Sequence, residues 1–285
     1  MNYNALIQNR KSVRAFTDRY VSFADMDQIK LYHSKYVRRL LPEVKTELRL
    51  FGLDARAVLE GAAGYEKFLV GSPQYMVLLS QQHPYAAENA GFVMEDLLLK
   101  LTDMGLDSCW LTFEDSEYIK TALELESDLD VMAIAAFGYG EKTTRRLRLN
   151  FRRMSDVDIN AQRQYFNPKR SVSELVYLNS WGNTDGVEEH IGFYDDMLWE
   201  AFYAASLSPS YLNRQPYAFV IRDGRITLVQ KPDAYTSGID EKLNLGIVML
   251  HFSAVASQWA GELVWSFGEE LPLPEGHRAV ASVAL

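Results

Sequence analysis

The sequence predicts an α+β fold built from two similar halves. Three observations carry this. Two long apolar helical segments lie 155 positions apart and match at several places. Each has a Ser-Pro pair and a strand-like run before it and a Trp-bearing strand after it. An Asp-Gly pair also sits between two apolar runs, the strongest short signal for an antiparallel hairpin.

The elements follow in order. Residues 4–9 read as a short helix leading into Arg10-Lys11-Ser12-Val13-Arg14. Ser22 has the form of an N-cap with Asp25 three residues on, and the helix it opens is expected to reach about Leu40, where Pro42 stops it. Residues 46–51 and 75–80 read as strands. Residues 85–104 form a helix apolar around much of its girth, hence buried, and Gly105 closes it. Residues 131–138 are a continuous apolar run, expected as a central strand. Residues 171–178 and 193–206 read as helices. Residues 217–222 and 225–230 flank Asp223-Gly224 as hairpin strands. Residues 239–259 form a second buried helix, 262–268 a strand, and the last dozen residues a tail.

The halves echo each other under the 155-residue shift. Asn89 meets Asn244, Gly91 meets Gly246, Val93 meets Val248, Met94 meets Met249 and Trp110 meets Trp265. Arg10-Lys11-Ser12-Val13 is echoed by Lys169-Arg170-Ser171-Val172. The first half is assigned to residues 1–150 and the second to 169–285. Residues 151–168, where arginines crowd and periodicity fades, are assigned to a crossover.

Composition bounds the function. A net charge of −9 argues against nucleic acid or an anionic membrane as partner. One cysteine, Cys109, permits no intrachain disulfide and suits a reducing compartment. The longest apolar stretch, 131–137, is too short to span a bilayer, and no signal peptide is evident, so a cytoplasmic protein is expected. The five histidines lack metal-ligand spacing, and no metal site is expected. No Gly-x-Gly-x-x-Gly or phosphate-loop motif is present.

Two segments can carry chemistry. Arg10, Ser12 and Arg14 place two guanidiniums and a hydroxyl within five residues, and a guanidinium fork matches phosphate oxygens. On its own this cluster reads better as a solvated basic patch. Ser208-Pro209-Ser210-Tyr211-Leu212-Asn213-Arg214-Gln215-Pro216-Tyr217 joins a helix to a strand. Its amides can read both donors and acceptors of a heteroaromatic ring.

Together these segments resemble the FMN-dependent nitroreductase family. Arg10, Ser12 and Arg14 match its Arg-x-Ser-x-Arg opening. Residues 208–217 resemble its Ala-Pro-Ser-Ser-x-Asn-x-Gln-Pro-Trp segment. Gly105-Leu106-Asp107-Ser108-Cys109-Trp110 resembles its Gly-Leu-Gly-Ser-x-Trp turn, and Gly138-Tyr139-Gly140 its Gly-Tyr-Pro strand end. The full Arg-x-Ser-x-Arg lies only in the first half, and its echo has Ser173 in place of Arg14. The full Pro-Ser-x-x-Asn-x-Gln-Pro lies only in the second half, with Ser72-Pro73-Gln74-Tyr75 as its expected first-half counterpart. This resembles the single-chain duplicated branch of the family, of the TM nitroreductase type.

The resemblance implies a nitroreductase-like α+β fold: two halves, each a mainly antiparallel sheet flanked by helices, fused as a pseudo-dimer. It implies one FMN per chain, NAD(P)H as electron donor, and ping-pong hydride transfer to a nitroaromatic, quinone or similar small-molecule acceptor. Arg10 and one of Arg145 or Arg148 would hold the phosphate, with Lys11 beside them and Ser12 on the phosphate or ribityl chain. Arg14 would face the pyrimidine side, and Trp110, Leu111 and Thr112 the N5 edge. Pro209, Ser210, Tyr211, Asn213 and Gln215 would come from the other half. No catalytic side chain is implied, because the flavin carries the hydride. The chain is expected to act as a monomer that imitates a dimer, with further pairing left open. Alternatives are a flavin-binding or sensing protein of this fold without efficient turnover, and a relative that holds no flavin.

Overall fold

A computed structural model of the chain describes residues 1–141, 147–153, 156–161, 169–187, 189, 191, 196–236 and 238–284, without the side chains of 147–153 and 156–161. Helix α1 (Tyr3–Asn9) is followed by α2 (Phe23–Lys35), β1 (Thr46–Phe51), α3 (Asp54–Leu59) and β2 (Gln74–Ser80). Then come α4 (Ala86–Asp103), β3 (Asp107–Leu111), α5 (Ser116–Ala122) and β4 (Asp130–Gly138). Strands β5 (Leu147–Arg153) and β6 (Asp156–Ala161) precede β7 (Val176–Leu178), α6 (Asp196–Ser206), β8 (Tyr217–Arg222) and β9 (Arg225–Gln230). The chain closes with α7 (Gly238–Ala260), β10 (Ser266–Phe267) and β11 (Arg278–Ala284).

Two sheets repeat one topology. The first has strand order β1-β2-β4-β3 and the second β10-β11-β9-β8-β7. Read from the other edge, β8-β9-β11-β10 repeats β1-β2-β4-β3, with β7 added parallel to β8. The other pairings between these strands, among the described residues, are antiparallel. In β2, Tyr75, Val77 and Leu79 enter one core with α3 and α5, while Met76 and Leu78 enter another with α2 and α4. Burial on both faces is why β2 reads as an unbroken apolar run. Helix α7 lies in the core of the second sheet, and Tyr3, Leu6 and Ile7 of α1 join that core from the far end of the chain. Helices α4 and α7 pack on each other between the halves.

The hairpin forms as expected, with Asp223 and Gly224 both left-handed at φ 50° and 70°, the geometry of a type I′ turn. Four expectations are corrected. Helix α2 stops at Lys35: Tyr36 N and Val37 N both bond Tyr32 O, and beyond them Arg38 N donates to Asp96 Oδ2 (2.9 Å) and Leu41 N to Asn89 Oδ1 (3.0 Å) of α4. Residues 171–178 are a 3₁₀ turn, Val172–Glu174, capped reciprocally by Ser171 and Glu174, and then strand β7. Pairing with β8 overrides the helical reading there. Of residues 262–268, only Ser266 and Phe267 pair in a sheet, and the Trp265 indole before them donates to Ser253 of α7 (2.8 Å). The expected tail is β11, inserted between β9 and β10 with Val280, Ala281, Ser282 and Val283 buried. Strand β5 begins before the expected crossover at 151 and pairs with β6 inside it.

Candidate functional site

An open cavity of about 1810 Å³ is walled by both halves. On the first-half side, α1 ends at Arg10 and residues 11–17 run along the ends of β3 and β4. Val13 N donates to Ser108 O (2.9 Å), Thr17 N to Tyr139 O (2.8 Å) and Glu141 N to Ala15 O (2.9 Å). This clamp brings Arg10, Lys11, Ser12 and Arg14 to the cavity wall. Gly140 stands where the related motif has Pro, and the structure gives the reason. Its N–H donates to Asp107 Oδ2 (3.0 Å), which a proline could not do, and a Cβ there would lie 2.9 Å from Val13 Cγ1.

Beneath this wall lies Glu95 of α4, fully buried. Its carboxylate meets Arg10 Nε at 2.9 Å and accepts from Trp110 Nε1 at 2.7 Å. His251 Nε2 of α7 lies 3.1 Å from it. Nδ1 of the same ring faces the Ala204 carbonyl at 3.1 Å and therefore donates to it. Burial pushes the Glu95 carboxyl up, but the Arg10 charge and the His251 and Trp110 contacts outweigh it and hold the group below the usual carboxylate range. Glu95 thus ties α1, β3 and α7 together at one point.

The second-half wall is the connection from α6 to β8. Pro209, Ser210, Tyr211 and Asn213 line the cavity. The loop is tightly wound: Leu212, Asn213 and Gln215 have φ of 49°, 56° and 48°, and a left-handed Leu is strained. Tyr211 N is held by Asn244 Oδ1 of α7 (3.1 Å). Gln215 is corrected. It does not line the cavity; its amide accepts from Arg170 N (2.9 Å) and donates to Ser206 O (2.7 Å), pinning the loop from inside. Trp110 and Leu111 of β3, and Thr112 directly after it, line the wall. Arg145 lies outside the described residues, and Arg148 is on β5, where side chains are not described.

Several wall residues escaped the sequence reading. Lys169 reaches the cavity with Nζ 2.8 Å from Ser208 O. Burial, then the Arg10 charge, lowers its pKa to about 8. Tyr65, Asp240 and Asn244 also line it. Only the echo of Arg10-Lys11 in Lys169-Arg170 hinted at Lys169. Besides Arg10 Nε, which has only its ion-pair contact to Glu95, two buried donors on the wall, Arg10 Nη2 and Asn244 Nδ2, have no hydrogen-bond partner among the described residues. Buried donors of this kind call for an acceptor. With Lys11, Arg14 and Lys169 beside them, they suit an anionic ligand with a polar ring system.

The family described as "Putative TM nitroreductase" matches residues 2–256. The chain belongs to the nitroreductase family. A crystal structure described as a putative nitroreductase from Thermotoga maritima MSB8 has a TM-score of 0.61 at 18% identity, covering 100% of this chain and 94% of that one. An FMN-dependent nitroreductase from Clostridium difficile R20291 covers 49% of this chain and 88% of its own at 20% identity, TM-score 0.42. A protein described as a putative NADH oxidase from Clostridium acetobutylicum covers 48% and 89% at 19% identity, TM-score 0.41. No curated protein matches the chain.

Within this chain the two halves are not equivalent at the site. Topology makes residues 36–45, between α2 and β1, the counterpart of 207–216, between α6 and β8. Leu41 N bonds to Asn89 as Tyr211 N bonds to Asn244. Ser72-Pro73 is therefore corrected as the counterpart: it precedes β2, the equivalent of β9. Under the 155-residue shift, Asp240 and Thr112 on the cavity wall correspond to Tyr85 and Phe267. Those two rings stack on each other, centroids 3.8 Å apart and planes 18° apart. No helix among the described residues is long and apolar enough to cross a membrane.

Proposed function

We propose that the chain binds one FMN in the cavity between its halves and serves as an NAD(P)H-dependent oxidoreductase. The observation that carries this is the pair of buried, unpartnered donors, Arg10 Nη2 and Asn244 Nδ2, one from each half and both on the wall of one cavity. The chemistry that the flavin supplies when bound is hydride transfer from NADH or NADPH to a nitroaromatic, quinone or similar acceptor, each taken in turn. Arg10 and Lys169 would hold the phosphate, with Lys11 beside them and Ser12 completing that end. Arg14 supplies a cation where the reduced ring gathers negative charge. Tyr211 and Asn213, with Asn244 behind them, cover the ring from the second half. Both walls belong to one polypeptide, so a second subunit is not needed to complete the site. The Tyr85–Phe267 stack at the related place supports a count of one.

Flavin absorbance per chain after reconstitution tests the count, and two flavins per chain would overturn it. Bleaching by NADH or NADPH without oxygen, followed by recovery with a quinone, tests turnover. Arg14 is exposed, so Arg14→Ala should leave the fold intact while weakening FMN binding and slowing flavin reduction. Unchanged values of both would remove Arg14 from the site.

A further inference from the structure

The cavity, at about 1810 Å³, exceeds the roughly 300–1,000 Å³ usual for one ligand. One part of its wall is unlike the cationic end. Asp240 and Asn244 lie one turn apart on α7 and share a face. Asn244 holds the Tyr211 backbone, which sets Asp240 beside Tyr211. The Tyr211 ring meets Tyr65 from the other half, centroids 6.2 Å apart and tilted by 47°. Phe68, 77% exposed, lines the same cavity. The Asp240 carboxyl is neither hydrogen-bonded nor ion-paired among the described residues. Burial raises its pKa to about 6, so it is largely ionised at neutral pH. An unpaired carboxylate amid aromatic faces, which carry negative charge at their centres, is the chemistry that recognises a cation.

We infer that Asp240, Tyr65, Tyr211 and Phe68 form a binding site for a planar ring carrying positive charge. The site lies beside the proposed flavin, and its role as a substrate or product subsite rests on that reading. Two sources share the chemistry: the pyridinium ring of an oxidised nicotinamide, and a cationic aromatic acceptor.

Calorimetric titration tests the site with two matched pairs of probes. One pair is 1-methylnicotinamide cation and nicotinate; the other is 10-methylacridinium and acridine-9-carboxylate. The cation of at least one pair should bind about tenfold more tightly than its anion. Asp240→Asn should abolish most of that ratio, and Tyr65→Leu should weaken the cation alone. The pair with the tighter cation identifies the source. Equal affinity for cation and anion in both pairs, or an unchanged ratio in Asp240→Asn, overturns the inference. The titration is run on the protein as purified and again with excess FMN. Failure to take up FMN would refute the proposed function, while the charge preference would still be read from the same protein.

Discussion

Gly91 of α4 and Gly246 of α7 each rest against the backbone of the other helix, in a reciprocal contact. A Cβ on Gly91 would lie 3.0 Å from Leu243 Cα, and one on Gly246 would lie 2.8 Å from Phe92 N, with the facing carbonyls of Leu243 and Glu88 closer still. Glu88 and Leu243 are themselves 155 positions apart, as are the two glycines. The contact is therefore self-complementary, like the interface of a symmetric dimer, although it lies within one chain. Because the obstacle is backbone, no side-chain rotation can relieve it.

Alanine at either glycine should force α4 and α7 apart. Alanine gains about 1 kcal/mol of helix propensity, but overpacking of a close backbone contact costs about 3 kcal/mol or more, so the net loss is roughly 2 kcal/mol. Urea unfolding of Gly91→Ala and Gly246→Ala measures this. Helix α7 carries Asp240, Asn244 and Ile247 of the cavity wall, so ligand binding should weaken in parallel. Full stability in both variants would show that the helices are not in backbone contact.

Glu95 gives a prediction in acid. Its carboxyl is held below the usual range in the folded chain, so it contributes stability above its unfolded pKa and loses it as pH falls through the folded value. Glu95→Gln leaves the Arg10 guanidinium buried without a counter-charge, which costs about 3 kcal/mol near neutral pH. The gap between wild type and variant should hold from pH 7 down to about 5 and close below the ordinary carboxylate range. Denaturant midpoints at pH 7, 5 and 3 check it. A gap independent of pH would mean that shape, not charge, fixes Arg10.

The parts of this site that were legible in the sequence are those written locally. Arg10, Ser12 and Arg14 stand within five residues, and Ser208 to Gln215 is one loop between two prolines' reach, so short spacing exposed both. Asp223-Gly224 and the buried helices α4 and α7 were legible for the same reason. Glu95, Asp240 and Asn244 were not, because each lies within a long helix and gains its role only from what packs against that helix. Gln215 was misassigned because an amide in a polar loop looks the same whether it faces a ligand or bonds its own backbone. Strand β11 was missed because Ala279, Ala281 and Ser282 are small: they fit a strand buried on both faces yet give no apolar alternation.

Lys169 gives a prediction in alkali. Its pKa of about 8 reflects burial and the neighbouring Arg10 charge, so the ammonium is present below that pH and lost above it. A phosphate monoester is already dianionic above its second pKa near 6, so it does not titrate in this window. If Lys169 holds the phosphate, FMN affinity should fall roughly tenfold as pH rises from 7 to 9.5, since a hydrogen bond to a charged group is worth about 1.5–3 kcal/mol. Riboflavin, which has the same ring and no phosphate, should show no such fall, and Lys169→Met should flatten the FMN curve. Ligand-free stability should move the other way. Between pH 8 and about 10.5 the unfolded chain keeps the lysine proton that the folded chain has shed, so rising pH favours the folded state at this residue. Fluorescence quenching titrations of both flavins across the pH range, with thermal unfolding of wild type and Lys169→Met alongside, read both trends. A fall shared equally by riboflavin and FMN would assign the effect to the ring and remove Lys169 from the phosphate.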